Sequence, residues 1–154
     1  GGGLAAATLL ALRDRGEPLP AGGALISPWA DLTMSGASYR TRADVDPMVS
    51  FEGLEPSAEA YLAGKDPKDP TVSAVYADLA GLPPLLIHVG DHEVLLDDSV
   101  LLAERAREAD VDVELWVAPE MFHVWHAFAG LVPEGAEALA VLGEWVRARL
   151  AAAP

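Results

Sequence analysis

Two acids, Asp91 and Glu93, stand in the stretch GDHEVLLDD, and two histidines, His123 and His126, stand further on in APEMFHVWHAF. A carboxylate beside an imidazole is the orienting half of a nucleophilic triad. The acid holds the ring tautomer and stabilises the imidazolium, while the ring takes a proton from a nucleophile and returns it to the leaving group. On spacing alone either acid could face either ring. A metal site is the rival reading, pairing His123 and His126 with His92 or Asp91. Metal-binding histidines on one helix usually stand four apart, however, and no third ligand is evident here. His126 and His88 read as structural, the latter because it interrupts the apolar run LLIHV. Asp97 and Asp98 read as helix caps, and Asp31, in PWADLT, as a turn residue.

The elements that must carry these side chains follow from periodicity. Residues 85–89 (LLIHV) and 113–117 (VELWV) are short apolar runs expected as strands, with a helix over 97–110 between them. Strand, helix and strand in so short a span form a βαβ unit. Its strands must be parallel, with the acids and the histidines at adjacent carboxyl ends, where parallel sheets gather chemistry. Residues 24–27 (ALIS) read as a third buried strand. Helices are expected over 3–15, ending at Gly16, over 51–63 with Pro56 marking a second start or a kink, and from about Glu134 to the end. Residues 28–50 are irregular, and a loop of that length is usually functional or a lid. The class is α/β.

Composition narrows the function classes. The chain has 154 residues, 51% of them hydrophobic, which suits one globular domain. A formal net charge of −14 makes nucleic acid an unfavourable partner. There is no cysteine, hence no disulfide framework and no thiolate metal site. That fits a reducing compartment and a cytoplasmic protein, though a chain that opens on Gly1 rather than methionine leaves export open. No apolar run is long enough to span a membrane.

The opening GGGLAAATLLALRDRG, then LISPWADLT at 25–33, GLPPLLIHVGDHEVLLDDS at 81–99 and MFHVWHAF at 121–128, follow one another in a recognisable order. Together they resemble the C-terminal half of a bacterial hormone-sensitive-lipase-type esterase, an α/β-hydrolase, over essentially the whole chain. In that family a nucleophile elbow of the form G-D-S-A-G-G leads into a helix of small residues. The resemblance implies that a strand and the nucleophilic serine stood before Gly1, with the oxyanion loop further upstream. The expected fold is then three parallel strands with flanking helices, part of an eight-stranded sheet, and part of a cap at about 29–66.

The same resemblance implies the activity and the roles. It points to hydrolysis of short- to medium-chain acyl esters through a serine acyl-enzyme, without cofactor or metal. The family's acid loop reads D-P-L-x-D. Set on this chain, Leu95 takes the leucine and Asp97 the second aspartate, so the triad acid falls on Glu93, with His123 as base and Asp91 as a turn residue bonding its own backbone. Asp91 is the alternative acid. Trp29, Met34 and Val124 are candidate pocket residues, with an apolar structural plug equally compatible for Trp29 and Met34. The missing N-terminal half is an expected partner, as is a second copy joined through strand 113–117. A peptidase of the same fold and a non-catalytic ligand-binding relative are the alternatives.

Overall fold

The computed structural model describes residues 1–152. The glycines at the start admit a close approach. Helix α1 (Gly2–Asp14) lies with its first turn on the segment that follows the first strand. A Cβ on Gly3 would collide with the Trp29 carbonyl oxygen, and one on Gly2 with Pro28 and the Ile26 carbonyl. The helix ends before Gly16, whose φ of 65° is the left-handed conformation that glycine adopts without a steric penalty.

Strands β1 (Gly23–Ile26), β2 (Leu85–Gly90) and β3 (Val113–Ala118) form a parallel sheet in that order. Their register aligns Leu25 with Ile87 and Ile87 with Leu115. All six residues of β2 are buried, as expected of a central strand covered on both faces. Successive side chains point to opposite faces. Leu25, Leu85 and Ile87 pack with Leu9 and Leu10 of α1 and with Leu102, Ala103 and Ala106 of α4 (Leu96–Glu108). On the other face, Trp116 and Ala118 pack with Trp125 and with Ala138 of α5 (Pro133–Ala152). The sheet is thus the middle of three layers, with α1 and α4 opposite α5. Pro133 opens α5 at the position where its missing N–H costs nothing.

Between β1 and β2 runs a long excursion holding α2 (Ser38–Thr41) and α3 (Phe51–Leu62). The expected irregular stretch 28–50 therefore contains one short helical turn. Pro56 neither splits nor ends α3, which runs on to a left-handed Ala63. Ser50 caps α3, its Oγ accepting the Gly53 N–H at 3.1 Å.

One expectation fails at α4. Asp97 and Asp98 are not its caps: the N-cap is Leu95, with no side-chain hydrogen bond, and both aspartates lie in the first turn. Their carboxylates serve the excursion instead. Asp98 Oδ2 accepts the N–H groups of Ala30 at 2.9 Å and Asp31 at 2.8 Å, while Tyr39 donates its hydroxyl to Oδ1 at 2.9 Å. Asp97 Oδ2 accepts the Ser38 N–H at 2.9 Å. Buried N–H groups must find acceptors somewhere. Those of the excursion find them in these carboxylates, while in the first turn of α4 the Leu96 N–H donates to the Glu93 carbonyl at 3.2 Å and the Asp97 N–H to Ser38 Oγ at 3.1 Å.

Candidate active site

The carboxyl ends of β2 and β3 are laced together by hydrogen bonds. The Asp91 N–H donates to the Ala118 carbonyl at 3.0 Å, and the His92 N–H to the Met121 carbonyl at 3.1 Å. A Cβ on Gly90 would collide with that same Met121 carbonyl, so the contact requires glycine. Asp91 Oδ1 accepts the Glu120 N–H at 2.6 Å. The expectation that Asp91 bonds its own backbone as a turn residue is therefore not met. Asp91 reaches across to the backbone of the histidine-bearing loop, because that loop runs alongside it.

Two residues on, Glu93 turns inward and is completely buried. A carboxylate taken out of water without partners would cost several kcal/mol, and this one is surrounded by donors. Oε1 accepts the Gly90 N–H at 2.6 Å and the Ser27 hydroxyl at 2.7 Å. Oε2 lies 2.9 Å from His123 Nδ1. A carboxylate can only accept, so the imidazole donates through Nδ1–H and its neutral form carries a lone pair on Nε2. The ring is partly exposed, its side chain at 24% of full accessibility. An oriented imidazole with an available ring nitrogen at a sheet end has the geometry that a general base requires. Asp91, half-exposed and 3.8 Å from His92, makes no contact with the His123 ring among the described residues.

Ser27 is the residue that motif reading missed. It sits one position past β1, at φ 44° and 3% exposed. Its placement at a third carboxyl strand end was the available signal. It is not placed as a nucleophile: its proton goes to the acid, and its oxygen accepts the Val124 N–H at 3.2 Å.

His126 turns away from His123 and meets His88 of β2, Nε2 to Nδ1 at 3.0 Å. Both rings are buried among Trp116 and Trp125. The other nitrogen of each ring, His88 Nε2 and His126 Nδ1, has no partner among the described residues. Among those residues, no group of three or more histidines and acids gathers as a metal site. Asp31 behaves as a turn residue. Burial works to raise its pKa, yet hydrogen bonds from Ser35 and Thr33 prevail and hold it below the usual carboxylate range.

The three candidate pocket residues line different cavities. Val124 borders one of about 340 Å³ with Gly1, Gly2 and Ile26. Trp29 borders one of about 350 Å³ with Gly1, Leu4 and Tyr61. Met34 lines a third, of about 590 Å³, against Leu62 and Pro67. Gly1 lines both of the first two.

The buried titratable groups around the site oppose one another in pH. Burial pushes Asp98 up to about 7 and pulls His88 and His126 down to about 4. An acid whose folded pKa is raised favours the fold at low pH, and that contribution is lost as pH rises from about 4 to 7. A histidine whose folded pKa is lowered does the reverse, costing stability as pH falls from about 6.5 to 4. In the intact protein Asp98→Asn is therefore expected to steepen the fall of the urea midpoint between pH 7 and pH 4. A variant whose pH dependence matches the parent would overturn this assignment.

Similarity to known proteins extends along nearly the whole chain. A family model described as alpha/beta hydrolase fold matches residues 1–127. An acetyl-hydrolase of Streptomyces hygroscopicus is 50% identical over 96% of this chain and 49% of its own length. An esterase of Acinetobacter venetianus is 39% identical over 94% of this chain and 48% of its own length. Among solved structures, an esterase from the bacterial hormone-sensitive lipase family superposes with a TM-score of 0.95 at 50% identity, covering 97% of this chain and 50% of the other. The chain spans about half the length of the curated relatives it matches.

Proposed function

Because this chain belongs to the α/β-hydrolase family, we propose that it supplies the acid and the base of a serine carboxylic ester hydrolase. The observation that carries the reading is the 2.9 Å contact between Glu93 Oε2 and His123 Nδ1 at adjacent strand ends. The nucleophilic serine is assigned to the part of its relatives that this chain does not span. His123 Nε2 takes the serine proton as the hydroxyl oxygen attacks the ester carbonyl. The resulting imidazolium, held by Glu93, protonates the departing alcohol. Water then attacks the acyl-enzyme by the same route, releasing the acid and the serine.

Short- to medium-chain acyl esters are the proposed substrates, in keeping with the acetyl-hydrolase and esterase names of the relatives. Trp29 and Val124, each bordering a cleft that Gly1 also lines, are proposed to contact the acyl ester; Met34 packs with Trp29 against Tyr39, Val94 and Leu95. The segment 29–66 is proposed as part of a cap. It is tied to the acid loop, where Asp46 Oδ2 accepts the Val94 N–H at 2.9 Å and Ser38 donates its hydroxyl to the Val94 carbonyl at 2.6 Å. The outer edge of β3, unpaired among the described residues, is proposed to pair with a second copy.

The test separates the chain from the whole. Residues 1–154 alone are expected to leave p-nitrophenyl acetate unhydrolysed, whereas the intact polypeptide should hydrolyse it and take a fluorophosphonate label on one serine. Esterase activity from residues 1–154 alone, or an intact protein inert to both reagents, would overturn the reading.

A further inference from the structure

We propose that Ser27 is a positioning residue that fixes acid and base on one another from a third strand. The inference rests on the ester hydrolase reading and names a residue that reading does not require. Ser27 donates its hydroxyl to Glu93 Oε1 at 2.7 Å and accepts the Val124 N–H at 3.2 Å. One buried oxygen thus joins the carboxylate to the residue directly after His123. The other links between the two loops, Asp91 to Glu120 and His92 to Met121, lie nearer the loop roots. They hold the backbone of the histidine loop without touching the carboxylate that faces the ring.

The backbone at both ends of this bridge is held where it would not otherwise rest. Ser27 has φ 44° although Pro28 follows, and a residue before proline is biased toward extended conformations. Val124 has φ 49°, which is a genuine outlier for a β-branched side chain. Strained conformations of this kind persist where the surroundings over-determine them, and they cluster at active sites. Here the two strained residues are hydrogen-bonded to each other. The backbone of Ser27 is also fixed, its N–H donating to the His88 carbonyl at 2.8 Å. The backbone from which the hydroxyl projects is therefore tied to β2.

Removing the hydroxyl leaves Glu93 Oε1 with the Gly90 N–H alone and orphans the Val124 N–H. The carboxylate then gains freedom to rotate away from the imidazole. Loss of one hydrogen bond to a charged group that orients a reacting side chain is expected to lower kcat by about 10- to 100-fold. KM should stay within about twofold, because ground-state binding is untouched.

The experiment uses the intact esterase and p-nitrophenyl acetate. Ser27→Gly removes the hydroxyl and at the same time accommodates the positive φ, so strain cannot account for a loss. Ser27→Ala is the second variant should the glycine loosen the fold, and a melting curve accompanies both. Each is expected to show the fall in kcat at a near-constant KM. On a Glu93→Gln background, Ser27→Gly is expected to change kcat by less than about twofold: the hydroxyl still meets the glutamine oxygen, but the side chain it holds no longer accepts from His123 Nδ1. Wild-type kcat in both single variants, a loss confined to KM, or losses that multiply on the Glu93→Gln background would each overturn the inference while leaving the triad reading intact. Full activity of Glu93→Gln alone would overturn the triad reading, and this inference with it.

Discussion

Replacing His123 with alanine in the full-length proposed hydrolase is expected to lower kcat by about 10⁶. The ring is the proposed proton carrier, oriented by Glu93 with Nε2 left to accept, and serine without its base is a poor nucleophile at neutral pH. The protein should stay folded, because the His123 side chain is partly exposed and its loop is anchored independently by Asp91 and Gly90. His126→Ala offers the contrast three residues away. Its ring is buried against His88, and deleting it leaves a cavity and an unpaired His88 Nδ1. The expected cost there is stability, about 3 kcal/mol, with far less effect on turnover. Steady-state kinetics beside urea melts of the two variants distinguish them. Equal losses of kcat would mean that the base is wrongly assigned.

Glu93→Gln is expected to cost about 10⁴ in kcat with little change in stability. The reason lies in which oxygen is already committed. Oε1 accepts from the Gly90 N–H and the Ser27 hydroxyl, so a glutamine would keep its carbonyl oxygen there. Its amide NH₂ would then face His123 Nδ1. Two donors cannot share a hydrogen bond, so the neutral ring must move its proton to Nε2, the nitrogen that should accept from the nucleophile. The side chain fits and the tautomer is wrong. Asp91→Asn should cost less than about tenfold, because an asparagine oxygen can still accept the Glu120 N–H and the residue touches no reacting group. Kinetics on the pair of variants checks the choice of acid, and a larger loss for Asp91→Asn would reverse it.

Much of the architecture was legible because it follows from local rules. Two apolar runs flanking an amphipathic stretch could only be a parallel βαβ unit, and β2, α4 and β3 occupy those places within a residue or two at each end. That unit by itself put Asp91 and Glu93 on one loop and His123 and His126 on the next. Period and length cannot say which acid meets which ring. The preference for Glu93 over Asp91 came from a family resemblance, and the geometry places the Glu93 carboxylate at His123.

What the sequence could not show lies in pairings between distant parts of the chain. Asp97 and Asp98 carry the signature of helix caps, yet their partners are backbone N–H groups of an excursion 59 to 68 residues away. Ser27 looks like an ordinary turn serine before proline, while its left-handed backbone and its two partners, 66 and 97 residues distant, arise only once three strand ends stand side by side. His88 reads as a core residue, and its bond to His126 depends on β2 and the loop after β3 packing face to face. Sequence determined which segments become strands and helices, because periodicity and turn chemistry act over a few residues. Tertiary structure decided which polar groups satisfy one another, because a buried donor bonds whatever acceptor the packed fold brings within reach.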